Sequence, residues 1–298
     1  MNLGLLAALV DDAGLFPPEQ LPMAAALARH RADEAAGHPM LTNRFLCPAS
    51  RLGELRAELA SSGGLDSGGG QVAANVQPSS CAGRGAPLRL GVIADTGVEG
   101  LAAACAEVAA EPLLAVELVE LPAPSAEAVV AALAAVDGFG PAVFVEGPRE
   151  PGWIKHLAGR AGAGGGLRGA KVRCGGARAD LFPSPEELAA FLCACFEHRV
   201  PFKATAGLHG AVRHRDEATG FVHHGFVNLL AATARAAARA PAADVAEVLA
   251  STDGPALVAE LQALPERTVV LARSLFRAYG SCSTAEPREE AAALGLPM

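Results

Sequence analysis

The sequence predicts an α/β fold, a closed (β/α)8 barrel of the TIM type, and three observations carry that expectation. The chain has 298 residues, a usual length for one such barrel. Short β-like runs alternate along it with alanine-rich helical segments, the pattern of a parallel sheet. Apolar residues make up 51% of the chain and aromatics only 4%, so small aliphatic side chains supply a core large enough to seat helices closely on a sheet.

The elements follow in order. The opening MNLGLLAALVDDAGLF holds an apolar patch, but no basic region precedes it and Asp11-Asp12 follow, so it reads as a poor signal peptide. DAGLFPPEQ (12–20) reads as a proline-rich turn covering one end of the barrel, without chemistry. Strands are expected at 42–47, 88–95, 113–120, 141–147, 169–175, 201–207, more weakly at 225–230, and at 276–283. The 225–230 run also reads as a helix, which would leave seven clear strands. Helices are expected at 51–60, 98–111, 125–136, 185–198 and 231–239. In FPSPEELAAF, Ser184 stands as N-cap, Pro185 takes the first helical position and Glu187 falls three residues after the cap, a capping box. The Gly/Ser-rich stretches 61–87 and 161–166 read as loops, 61–87 as an insertion, within one domain spanning 1–298.

Charge narrows the function. A net charge of −8 argues against nucleic-acid and anionic-membrane partners, and no apolar run reaches the ~18 residues of a membrane span. Seven cysteines without a Cys-x-x-Cys pair read as free thiols of a reduced compartment. A cytoplasmic protein acting on a small molecule is expected, and assembly into a homo-oligomer is left open.

In a barrel, outward side chains meet helices and inward ones meet the axis, with reactive groups gathered at the carboxyl ends of strands. In PFKATAG, Phe202 and Ala204 face helices, leaving Lys203 and Thr205 inside. In GAKVRCG, Val172 and Cys174 face out, leaving Lys171 and Arg173 inside. By the same alternation Glu117, Glu146, Asp95 and Arg44 point inward. Burying several charges costs several kcal/mol per ion unless they are paired, so this interior reads as a site. Pairing of lysines with glutamates across the barrel is the structural alternative, with Arg173 and Glu117 the plainest charge partners.

The lysines sharpen the reading. The chain has 21 arginines and three lysines, Lys155, Lys171 and Lys203. Two of the three fall on inward faces of adjacent expected strands, while Lys155 reads as a helical surface residue. Arginine supplies a fixed cation, whereas a desolvated lysine can lose its proton and act as nucleophile or base. Two chemistries use such a group. One is an imine with a carbonyl substrate, with one lysine as the amine and the other as the cation that lowers its pKa, and with Glu146 or Asp95 moving protons. The other is acid–base work beside an enolate held by Arg173 or a metal.

Lys203 to Gly207, K-A-T-A-G, resembles the strand bearing the Schiff-base lysine in deoxyribose-phosphate aldolase and related class I aldolases. The resemblance covers about five residues and implies that Lys203 forms the imine. The family's second lysine lies on a later strand, whereas Lys171 lies on an earlier one, so which lysine reacts stays open.

Residues 206–228 hold four of the eight histidines, and His209, nearest a strand end, is the candidate acid or base. Gly175-Gly176 and Ser281 of GSCS stand at strand ends where backbone N–H groups could cradle a phosphate. Arg173, with Arg213 more distant, would hold a substrate anion. No cofactor is expected. A divalent metal on His209, Glu146 and Asp95 is the alternative, although no spacing matches a zinc motif. A class I aldolase-type lyase is the leading expectation. A metal- or lysine-assisted isomerase or epimerase, or a non-catalytic metabolite-binding barrel, are the alternatives.

Overall fold

A computed structural model describes residues 3–62, 86–160 and 165–296. Eight parallel strands close into a barrel: β1 (Val10–Asp12), β2 (Leu41–Pro48), β3 (Leu88–Ile93), β4 (Leu114–Pro122), β5 (Ala142–Glu146), β6 (Arg168–Arg173), β7 (Phe202–Thr205) and, after a two-stranded hairpin of β8 (His214–Arg215) and β9 (Val222–His223), β10 (Phe276–Ser281). Each barrel strand pairs with its neighbours in the parallel sense, and β1 closes the ring between β2 and β10. The expected fold is therefore observed.

Helices α1 (Met23–Ala36), α2 (Leu52–Ser62), α3 (Gly97–Ala109) and α4 (Ala126–Ala135) follow the first four strands. A 3-10 helix at Pro151–Leu157 stands between β5 and β6, and α5 (Pro185–His198) between β6 and β7. Four helices, α6 (Phe226–Ala237), α7 (Ala242–Ala250), α8 (Gly254–Gln262) and α9 (Glu266–Leu275), precede β10, and α10 (Glu286–Ala293) follows it.

Two expectations are corrected. The run at 225–230 opens helix α6, where Phe226, Val227, Leu229 and Leu230 are all buried. Its mostly apolar character fits a helix enclosed on all sides as well as a strand, and length decides for the helix. The eighth strand is Val10–Asp12, placed by backbone pairing with β2 and β10. Three residues are too few to show an alternation of their own. Most of the 61–87 insertion, and 161–164, lie outside the described residues.

Helix α5 shows how local sequence fixes an element. The Ser184 side chain accepts from the Glu187 N–H, the Glu187 carboxylate accepts from the Ser184 N–H, and Pro185 starts the helix. Ser184→Ala is expected to destabilise the protein by about 1 kcal/mol, read from the midpoint of urea unfolding.

The outer core lies between barrel and helices. Val92, Val119, Val143, Ala170, Phe202 and Phe276 meet Leu27, Leu55, Leu101, Val129 and Leu192 there, with the Phe202 and Phe276 rings stacked at 5.0 Å. The barrel interior is different. Its apolar part includes Leu46, Leu118 and Phe144, and it is so tight at Gly91 that a Cβ would lie 2.4 Å from Leu46 and 2.9 Å from Leu118. Charged side chains fill the rest.

One irregularity decides which charges they are. Leu90 pairs with Val116 but Gly91 pairs with Leu118, so Glu117 is an extra residue on β4. Such a bulge reverses the alternation beyond it. Leu118 and Glu120 turn inward, and Val119 and Leu121 meet the helices.

Candidate active site

The inward charges form one continuous chain through the barrel. Arg89, at the start of β3, binds the Glu117 carboxylate, and Glu117 also binds Arg44 at 3.0 Å. Arg44 reaches Asp11 at 2.7 Å, and Asp11 holds the Lys203 ammonium at 2.5 Å. Lys203 contacts Glu120 at 2.6 Å, and the other oxygen of Glu120 binds Lys171 at 2.6 Å. Lys171 reaches Glu146 at 3.0 Å, and Glu146 ends on Arg173 at 2.8 Å. Cation and carboxylate alternate at every step. The chain begins at an amino-terminal strand end and finishes at the last residues of β5 and β6, the carboxyl-terminal mouth.

Burial runs the same way. Lys203 and Asp11 are 0% exposed and Glu120 2%, whereas the end members Arg89 and Arg173 are about two-fifths exposed. An unpaired ion at such depth would be strongly unfavourable, and the alternation gives each buried charge opposite charges on both sides. Lys203 also lies 5.7 Å from the centroid of the Phe144 ring, an added cation–π contact.

The electrostatics follow from these contacts. Burial alone would raise the Glu120 carboxyl, but the charges and hydrogen bonds of Lys171 and Lys203 outweigh it and hold its pKa down at about 2. Burial likewise works against the charged form of Glu146, and Lys171 and Arg173 bring its pKa below the ordinary carboxylate value. For Lys171, burial would lower the pKa, yet Glu120 and Glu146 prevail and raise it. The expected lowering of one lysine by the other is thus absent at Lys171 in the resting protein. A shared carboxylate separates the two ammonium groups.

Lys171, Lys203, Glu146, Arg173, Arg44 and Glu117 are therefore gathered as the sequence suggests, although Arg173 and Glu117 stand at opposite ends of the chain rather than on each other. Thr205 is half-buried at the end of β7, in register with Arg173.

Other candidates fall elsewhere. Asp95 lies beyond the end of β3, exposed, where it accepts from the Ser50 N–H at 3.0 Å and from the Ser50 hydroxyl. The chain leaves the sheet two residues earlier than strict alternation assumes. Gly175 and Gly176 serve packing: a Cβ at Gly175 would lie 2.6 Å from the Gly207 Cα, and one at Gly176 would lie 2.5 Å from Leu181. A Cβ at Gly207, at φ +65°, would lie 2.5 Å from the Cys174 carbonyl oxygen, so this contact demands glycines. Ser281 is buried with its hydroxyl unpartnered among the described residues, one residue beyond the inward Gly280 and so on the outer face.

His209 stands apart from the ion chain. Its Nδ1 lies 3.5 Å from the Cys282 sulfur and 4.0 Å from Glu286. Burial, then neighbouring His223, lowers the imidazole pKa, and burial pushes the Cys282 thiol up, so both are neutral near pH 7. Arg213 is engaged by His224 at 3.2 Å. Among the described residues there is no group of three or more His, Cys, Asp or Glu that could hold a metal ion; His209 meets Cys282, Glu146 meets Lys171 and Arg173, and Asp95 meets Ser50. Nor is any helix among them long and apolar enough to cross a membrane.

Three members of the chain are absent from the sequence candidates. Glu120 is hidden by the bulge, and Asp11 by the shortness of β1, although an apolar run closed by two aspartates is itself a strand-end signal. Arg89 obeys the same alternation that singles out Arg44. No family model, curated protein or solved structure matches the chain.

Proposed function

We propose that this barrel is a lyase of class I aldolase type, forming an imine between Lys171 and a small carbonyl compound that bears an anionic group. The observation that carries the reading is the placement of Lys171. It keeps a side-chain exposure of 6% where Lys203 has none, and its carboxylate partner Glu146, at the mouth, is 19% exposed. Arg173 follows two residues later on the same face. Lys203, enclosed by Asp11 and Glu120, is a positioning residue: it fixes the carboxylate that orients Lys171. This departs from the resemblance, which would make Lys203 the amine.

The contacts suggest an order of events. A substrate anion on the free edge of Arg173 weakens the hold of that guanidinium on Glu146, which makes Glu146 the better base. Glu146 takes a proton from the Lys171 ammonium, and the neutral amine adds to the carbonyl carbon. The former carbonyl oxygen takes one proton from Glu146 and a second, again through Glu146, from the nitrogen that has added, and it leaves as water. The iminium that remains carries the same single positive charge as the ammonium it replaces, so Glu120 and Glu146 stay matched. Glu146, again a carboxylate, takes the proton of the hydroxyl on the β-carbon; that carbon leaves as a carbonyl compound, and the electron pair of the Cα–Cβ bond passes into the iminium to give an enamine. Protonation at carbon and hydrolysis then restore the amine. A second reading, a lysine-assisted isomerase or epimerase, is favoured by the raised pKa of Lys171, which suits an ammonium stabilising an enolate without a covalent bond.

Borohydride treatment with a pool of small carbonyl compounds, followed by intact mass and peptide mapping, tests the proposal. A single adduct on Lys171, absent in Lys171→Met, is expected. Labelling confined to exposed Lys155 would overturn it. No adduct, with Lys171-dependent exchange of solvent deuterium into the substrate α-carbon, would establish the second reading instead.

A further inference from the structure

The end of the ion chain also bears on which anion the substrate carries. We infer that it is a carboxylate adjacent to the reacting carbonyl, making the substrate a 2-oxo acid, held by the free edge of the Arg173 guanidinium beside the Thr205 hydroxyl. This rests on the reading of Lys171 as the reactive amine.

Charge is the first ground. The chain runs Arg89, Glu117, Arg44, Asp11, Lys203, Glu120, Lys171, Glu146, Arg173, starting and finishing on a cation. At the mouth, Glu146 is shared by Lys171 and Arg173, so this end is one negative charge short. A monoanion completes the alternation, whereas a phosphate dianion would add a second charge with no cation to meet it.

Geometry is the second. Arg173 gives its Nε and one terminal nitrogen to Glu146, and its Nη1 has no partner among the described residues. Thr205 is its register neighbour on β7 and faces the axis, its hydroxyl 3.7 Å from where a Cβ on Gly280 would stand. That hydroxyl too makes no hydrogen bond among the described residues, so an N–H and an O–H donor lie unused on adjacent strand ends. Residues two apart on one strand are separated by roughly 6–7 Å along it. Lys171 and Arg173 share one strand face at that spacing, so a compact substrate with its anionic group beside its carbonyl can meet both.

The other cations near the mouth do not share a strand face with Lys171. On the loops after β5, β6 and β7, Arg149 is held by Glu187 and the Asp180 carbonyl, Arg178 by the Asp180 carboxylate and Arg215 by the Gly220 carbonyl, while Arg213 meets His224. An anion on any of these loop residues would lie farther from Lys171 than one on Arg173, two residues along the same strand.

The test separates the anion from the imine chemistry. Lactate, which has a carboxylate but no carbonyl, is titrated into the wild-type chain, Arg173→Gln and Thr205→Val by calorimetry, with glycerol 1-phosphate as the competing probe. Saturable lactate binding is expected, weakened at least tenfold in Arg173→Gln and several-fold in Thr205→Val, with no competition from the phosphate ester. Borohydride trapping should favour pyruvate over hydroxyacetone and its phosphate. Tighter binding of the phosphate ester, or lactate binding indifferent to Arg173, overturns the inference. Arg173-dependent lactate binding without any pyruvate adduct would uphold the carboxylate and remove the imine. An adduct formed with the phosphorylated ketone alone would do the reverse.

Discussion

Lys203→Met is expected to destabilise the barrel by about 3–5 kcal/mol, the cost of removing one partner from a buried ion pair. The methionine is close to lysine in size, so the loss is electrostatic. Asp11 keeps Arg44 and Glu120 keeps Lys171, but the cation between the two carboxylates is gone, and both face the gap at 0% and 2% exposure. Against a usual stability of about 5–15 kcal/mol this is a large fraction. Adding Glu120→Gln removes one of the stranded charges and should return part of the loss. Arg89→Gln, at the exposed end of the same chain, should change stability by no more than about 1 kcal/mol. Urea unfolding of the four proteins measures all of these, and equal losses at Lys203 and Arg89 would mean the interior is wetter than the contacts imply.

Acid should unfold the protein through the same groups. Glu120 and Glu146 have pKa values lowered in the folded state, so the unfolded chain binds their protons more readily. Their stabilisation is complete above the ordinary glutamate value and is lost as pH falls from about 5 towards 2. For Glu120, fully buried and lowered from 4.5 to about 2, the linked stability is on the order of 3 kcal/mol. Lys171 is shifted the other way. Its contribution is complete below the ordinary lysine value, near 10.4, and fades as pH rises through its higher folded value. Buried groups outside the ion chain narrow the window: burial lowers His224 to about 4, so stability is lost as pH falls below the ordinary histidine value near 6.5, and burial raises the Cys47 and Cys174 thiols to about 12, so it is lost as pH rises past the ordinary thiol value near 8.5. Stability should therefore be highest from about pH 7 to 8, and Glu120→Gln should shallow the acid limb below about pH 5. The melting temperature followed across pH checks both limbs.

Much of this was legible beforehand because a barrel strand has a rigid period of two. That period sorts Lys171 from Val172 and Lys203 from Ala204, and it assigned six of the nine ionic groups to the interior. It fails where the backbone breaks the period. The extra residue at Glu117 sends Glu120 inward, and the early end of β3 carries Asp95 out of the sheet. A three-residue strand such as β1 has no period to read; only pairing across the closed ring identifies it. The order of the ion chain is a further level removed. It depends on which carboxylate oxygen meets which ammonium, and a sequence holds that only through the whole packed interior.

The most direct measurement is carbon-13 and nitrogen-15 NMR of the protein labelled at lysine, since the chain's three lysines give three side-chain signals. The signal assigned to Lys171 by its methionine variant should keep the shift of an ammonium beyond the ordinary lysine pKa, and Glu146→Gln should bring its titration to lower pH. A Lys171 signal that already titrates near neutral pH, unmoved by Glu146→Gln, would contradict the ion chain that places it.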